Sequence, residues 1–192
     1  ELIVTNPKGN GLLFQYFFKV DNTELNKACQ SGDLDKVRNM LKGYIYVNNY
    51  DENGYTPLIV ACRNGKCNIV RELLKYDNID VDLAPKKYGY TPLITAISNI
   101  CNETKKHNNN KKCNENYERN EIVYELLNAD ADANKCADDE FSPTPLIIAC
   151  VFGLIDIVKL LLKYNADVNK ADSNGATPLI HAIIEKKFEI VE

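Results

Sequence analysis

The chain has no tryptophan, one methionine and two histidines among its 192 residues. His107 lies in a polar run and His181 in an apolar one, two unrelated contexts that do not make a catalytic pair. GxSxG, Walker, HExxH and GxGxxG patterns are all missing, so the common hydrolase, nucleotide, zinc-protease and dinucleotide sites have no sequence support. No apolar run approaches the ~18 residues that span a bilayer. Leu12 to Val20 is partly apolar, but it lacks a basic leading region and a small-residue cleavage site, so no signal peptide is visible. A basic excess is also lacking. The net charge of −4 argues against a general nucleic-acid binder. What remains is ordinary for a soluble domain, with 45% apolar and 26% charged residues, long enough for one domain or a short repeat array.

The informative stretch is Thr144 to Asn169, TPLIIACVFGLIDIVKLLLKYNADVN. Thr144-Pro145-Leu146 predicts a helix start, because proline is tolerated at a first helical position whose N–H would be unpaired anyway. Leu146, Ala149 and Cys150 then share one helical face. Gly153 ends this helix, as a residue free to take φ > 0. Ile157, Val158, Leu161 and Leu162 form the inner stripe of a second helix, and Asn165-Ala166-Asp167 reads as a turn. The unit restarts 33 residues later at Thr177-Pro178-Leu179, and earlier copies open at Thr56-Pro57-Leu58 and Thr91-Pro92-Leu93. Thr23-Glu24-Leu25 is a fainter copy, again 33 residues before Thr56.

The period, the TPL opening, the alanine in a glycine-ended first helix and the "ADVN" close together resemble the ankyrin repeat, over about Thr23 to Glu192. The resemblance implies an all-α ankyrin-repeat solenoid of stacked helix–turn–helix units with protruding β-turn or hairpin tips. The repeats are expected at about 23–55, 56–90, 91–143, 144–176 and 177–192, the last incomplete. Residues 1–22 do not fit the repeat and read as an N-terminal cap or linker, aromatic-rich at Phe14, Tyr16, Phe17 and Phe18. The third repeat is interrupted by Cys101 to Asn120, CNETKKHNNNKKCNENYERN, which is too polar to bury a core and predicts a flexible loop. The fifth stops at Glu192, partway into its second helix. A solenoid ending there would expose an apolar stripe, so a continuing chain or another molecule is expected to cover it.

Three of the seven cysteines, Cys29, Cys62 and Cys150, fall six residues after the repeat's first position, on the inner face of the first helix. Neighbouring helices pack ~8–10 Å apart, too far for a disulfide between equivalent positions, so these read as small buried hydrophobes of a reducing, cytoplasmic protein. Cys101, His107 and Cys113 are spaced like a loose metal clip, but zinc sites favour tight CxxC or HxxxH pairs, and a polar loop is the simpler reading. No metal or cofactor is expected. Lys105-Lys106 and Lys111-Lys112 could attract an acidic partner, though Glu103, Glu115 and Glu118 dilute the field. The family often has histidine after TPL, where it braces neighbouring turns. Ile59, Ile94, Ile147 and Ile180 stand there instead, so these turns are expected to rely on packing.

In such arrays the turn tips and the exposed ends of the first helices form a concave binding surface. Carried over by position, Asn53, Tyr55, Tyr88, Tyr90, Phe141 and Asn174 lie on tips, and Arg63 and Phe152 end first helices. Five of these are aromatic, a type that often carries interface energy, although some of them could pack on adjacent turns to hold the stack. The implied function is a non-catalytic scaffold that binds a protein partner in the concave groove, with no nucleic acid and no membrane insertion. Alternatively, the array recruits substrates or partners for a larger enzyme or membrane protein, such as a palmitoyltransferase, kinase, ubiquitin ligase or channel. A monomer is expected, with end-to-end association through the incomplete last repeat as a variant.

Overall fold

The computed structural model describes residues 22–43, 46–85, 89–106 and 114–191. Among the described residues there are ten helices and no strand. In chain order these are α1 (Thr23–Ser31), α2 (Leu34–Leu41), α3 (Pro57–Arg63), α4 (Cys67–Leu73), α5 (Pro92–Lys106), α6 (Asn114–Asn128), α7 (Pro145–Phe152), α8 (Ile155–Lys163), α9 (Pro178–Ile184) and α10 (Phe188–Val191). Consecutive helices pair, and each pair packs on the next. The odd-numbered helices form one layer and the even-numbered helices a second. The architecture is the expected all-α solenoid.

Local chemistry sets the helix starts. The hydroxyls of Thr56, Thr91, Thr144 and Thr177 accept the backbone N–H of Ile59, Ile94, Ile147 and Ile180 at 3.3, 3.2, 3.1 and 3.4 Å. Each satisfies an N–H that the helix itself leaves unpaired, worth about 1 kcal/mol. Proline follows at the first helical turn, as expected. Gly153 closes α7 in the left-handed region at φ 70, and its N–H reaches back to the Ala149 and Cys150 carbonyls.

The core is a continuous column between the two layers. Leu25, Leu58, Leu93 and Leu146 are at most 2% exposed, and Ala28, Ala61, Ala96, Ala149 and Ala182 line the same column. The second helices add Val37, Ile69, Val70, Ile122, Val123, Ile157, Val158 and Leu161. Full burial of each such side chain is worth roughly 1.5–3 kcal/mol, which no single pair could gather alone.

Two expectations are corrected. The segment 101–120 is not one loop. α5 runs on to Lys106 and α6 begins at Asn114, so the inserted residues lengthen the third helix pair at the end away from the tips. A strongly polar run still forms helix here because each half continues a helix already anchored in the core. The residues 107–113 between them, which include His107 and Cys113, lie outside the described residues, as does the proposed N-terminal cap through residue 21. The second correction is Leu162, placed on the inner stripe of its helix but 43% exposed. The end of the column is open, as expected: Leu179 is 51% exposed and Ile183 52%, because among the described residues no helix pair packs on that face of α9.

Candidate partner-binding surface

Three of the tips are tight turns, each organised by one aspartate. Asp51 Oδ1 accepts the N–H groups of Asn53 and Tyr55, both at 2.9 Å, and the Asp51 N–H closes the turn on the Tyr55 carbonyl at 2.9 Å. Asp172 repeats this with Asn174 and Ala176, again both at 2.9 Å. Asp139 holds Phe141 and Ser142 at 3.0 and 2.8 Å. In that tip Ser142, at φ 46, fills the left-handed slot that Gly54 and Gly175 fill elsewhere, and Phe141 replaces the asparagines Asn53 and Asn174. A serine there strains the backbone by ~1 kcal/mol or more.

The predicted site residues divide into three groups. Phe141, 53% exposed, and Phe152, 37% exposed, present aromatic surface to solvent from the tip and the last turn of α7. Tyr55 and Tyr90 are only partly exposed and pack against the core. Above the Tyr55 ring lies the Arg63 guanidinium, 5.2 Å from its centre, in a cation–π contact. Burial, then the hydrogen bond to Asp139, raises the Tyr90 phenol above its ordinary value, so this ring ties one tip to the next. Asn53 and Asn174 are exposed turn residues whose main chains are fixed by the aspartates. Tyr88 lies outside the described residues.

Sequence reasoning missed the polar braces. The nearly buried Asn26 stands at the TPL-plus-one place of the faint first copy, and its amide donates to Asp51 Oδ2 and to the Tyr55 carbonyl, both at 2.9 Å. It does there what histidine does in the resembling family, so the turns do not rely on packing alone. His181 Nε2 lies 2.8 Å from Asp172 Oδ2, in the tip that precedes α9. The His181 hydrogen bond, helped by the Ala176 N–H, holds the Asp172 carboxyl below its usual range. Behind the helices, Asn134 reaches the next repeat twice, accepting from the Asp167 N–H at 2.7 Å and donating to the Asn165 carbonyl at 3.1 Å. The recurring close of the repeat, read first as a turn, was the available signal.

Burial disfavours the thiolate at three of the buried cysteines. Burial pushes Cys29 up to about 12 and Cys150 up to about 11, and raises Cys62 as well. All three are free and buried, as their positions in the repeat implied. Among the described residues no group of three His, Cys, Asp or Glu side chains could hold a metal, and no helix is long and apolar enough to cross a membrane.

Comparison with known proteins agrees with this geometry. The family model for ankyrin repeats (3 copies) matches residues 25–107 and 112–192. The chain belongs to the ankyrin-repeat family. It is similar to an ankyrin repeat protein of fowlpox virus, with 31% identity over 88% of this chain and 46% of that protein. A serine/threonine-protein kinase of Dictyostelium discoideum is 30% identical over 88% of this chain and 19% of its own length. The 2-5A-dependent ribonuclease of Mus musculus is 48% identical over 33% of this chain and 8% of its own. The chain thus spans less than half the length of each of these relatives. Ankyrin repeats are, in general, protein-interaction modules.

Proposed function

We propose that this array is a non-catalytic scaffold that holds a protein partner in its concave groove, with Phe141 and Phe152 as the anchoring side chains. The supporting observation is the contrast among the aromatics. Tyr55 and Tyr90 are engaged in holding the stack, whereas Phe141 is half exposed on a backbone turn that is strained at Ser142. Strain of that kind persists where the surrounding structure fixes it, and it gathers at functional sites. An exposed aromatic fixed on a rigid turn gives contact area at low entropic cost. Arg63, Asn53 and Asn174 form the polar rim in this reading.

The test is a pull-down from the source cell extract with the chain and with the Phe141→Ala, Phe152→Ala double variant. The variant keeps its circular dichroism and melting temperature and loses at least tenfold of the captured partner. Equal capture by both proteins would move the site away from these residues. A second reading follows from the lengths of the relatives. In a larger kinase- or ubiquitin-ligase-type protein, the array would recruit the substrate or partner while another domain does the chemistry. The kinase of Dictyostelium and the E3 ubiquitin-protein ligase KEG of Arabidopsis thaliana, of which the chain covers 19% and 10%, favour this version.

A further inference from the structure

The loops behind the second helices are joined by one polar rung at each joint, and one rung differs from the others. At the first joint, Asn48 accepts the Asp80 N–H at 2.9 Å and donates to the Asn78 carbonyl at 2.6 Å. The third joint has the same two bonds, from Asn134 to Asp167 and Asn165. Both side chains are amides, and each uses its acceptor and its donor. At the second joint the equivalent residue is Asp82. Its two oxygens accept the Asp132 N–H at 3.2 and 3.1 Å. An ionised carboxylate has no hydrogen to give to the carbonyl of Asp130, the counterpart of Asn78 and Asn165.

The charged groups around Asp82 are Asp80 on its own loop, and Asp132 and Lys135 on the next. Lys135 Nζ donates to the Asp82 main-chain carbonyl at 3.0 Å, as Lys170 does to that of Asn134 at 2.7 Å. We propose that this joint, between the second and third helix pairs, is a pH-responsive coupling. With Asp82 ionised it has half the hydrogen bonding of its neighbours. When Asp82 takes a proton from solvent, the new O–H can donate to Asp130, and the rung becomes equivalent to the asparagine rungs.

Burial raises the Asp82 carboxyl above its ordinary value, and Asp132 and Asp80 add to this against the pull of the Asp132 N–H and Lys135. The folded state therefore holds the proton more tightly than the unfolded chain does. The joint gains strength as pH falls through the raised folded value, and the gain is complete below the ordinary value of 3.8.

Comparing the chain with Asp82→Asn isolates this group, since every other carboxylate is common to both. At pH 7 the Asp132 amide of the variant exchanges with deuterium about fivefold more slowly, the worth of one neutral hydrogen bond. That ratio closes towards one as pH falls below the ordinary value of 3.8. A ratio independent of pH, or faster exchange in the variant at pH 7, overturns the proposal. Carboxyl titration of Asp82 by NMR in the unmodified chain is the second measurement. A midpoint above 3.8 supports the coupling, and one at or below 3.8 refutes it.

Discussion

Leu146 and Leu179 occupy the same place in successive repeats, yet one is 2% exposed and the other 51%. Ile147 and Ile180 repeat the contrast at 2% and 43%. Both leucines follow Thr-Pro and start a helix capped in the same way. The difference lies entirely in what packs next to them. α7 has α9 on its far side, and α9 has no neighbour there among the described residues. In a stack whose pairs touch only their neighbours, burial belongs to the joint and not to the residue.

The sharpest way to break this comparison is at the tips. A Cβ added at Gly89, φ 59, would lie 2.2 Å from Asp138 Cβ and 2.4 Å from its backbone N. Gly89→Ala combines overpacking with a left-handed alanine and should lower unfolding free energy by about 3–5 kcal/mol in urea titrations. Gly175, φ 79, has nothing within 4 Å of such a Cβ, so Gly175→Ala should lose only about 1 kcal/mol. Equal losses would mean that the tips do not touch as described.

The next effect is in the column. Leu146→Ala should lose about 3 kcal/mol through the cavity it leaves, and Leu179→Ala less than about 1, measured in the same titrations. A large loss at Leu179 would show that its face is covered in solution.

The smallest effect is electrostatic. The Asp172 carboxyl is held below its ordinary value, so its contribution is full above that value of 3.8 and is lost as pH falls through the depressed folded value. The melting temperature should therefore drop in acid more steeply for the chain than for Asp172→Asn. At neutral pH the variant should melt about 3 °C lower, the shift expected from roughly one lost hydrogen bond. A variant as acid-sensitive as the chain would place the proton uptake elsewhere.

Much of the fold was legible because it is written several times. The threonine caps, the alanines of the column and the stripe of Ile122, Val123, Leu126 and Leu127 repeat a pattern with one physical meaning. The lengthened third pair was not legible, because its polar residues carry no helical stripe, and their helices depend on cores begun outside the insertion. The site was readable only as a set of places. Position puts Tyr55, Tyr90, Phe141 and Phe152 on one side of the array, but it does not distinguish a ring bound to Arg63 or Asp139 from one open to solvent. Asn26 escaped notice because its repeat opens with Thr-Glu instead of Thr-Pro, so its place in the pattern was hidden.

The long third pair also has a mechanical side. With 15 residues in each of α5 and α6, against 7 to 9 in the other first helices, it stands out by about seven residues, or ~10 Å at 1.5 Å per residue. Near its base Arg71 clasps Glu121 and Glu125 from the neighbouring helix, the latter at 2.7 Å. Load on the outer end would therefore fall first on the packing of α6 against α4 that these ion pairs accompany.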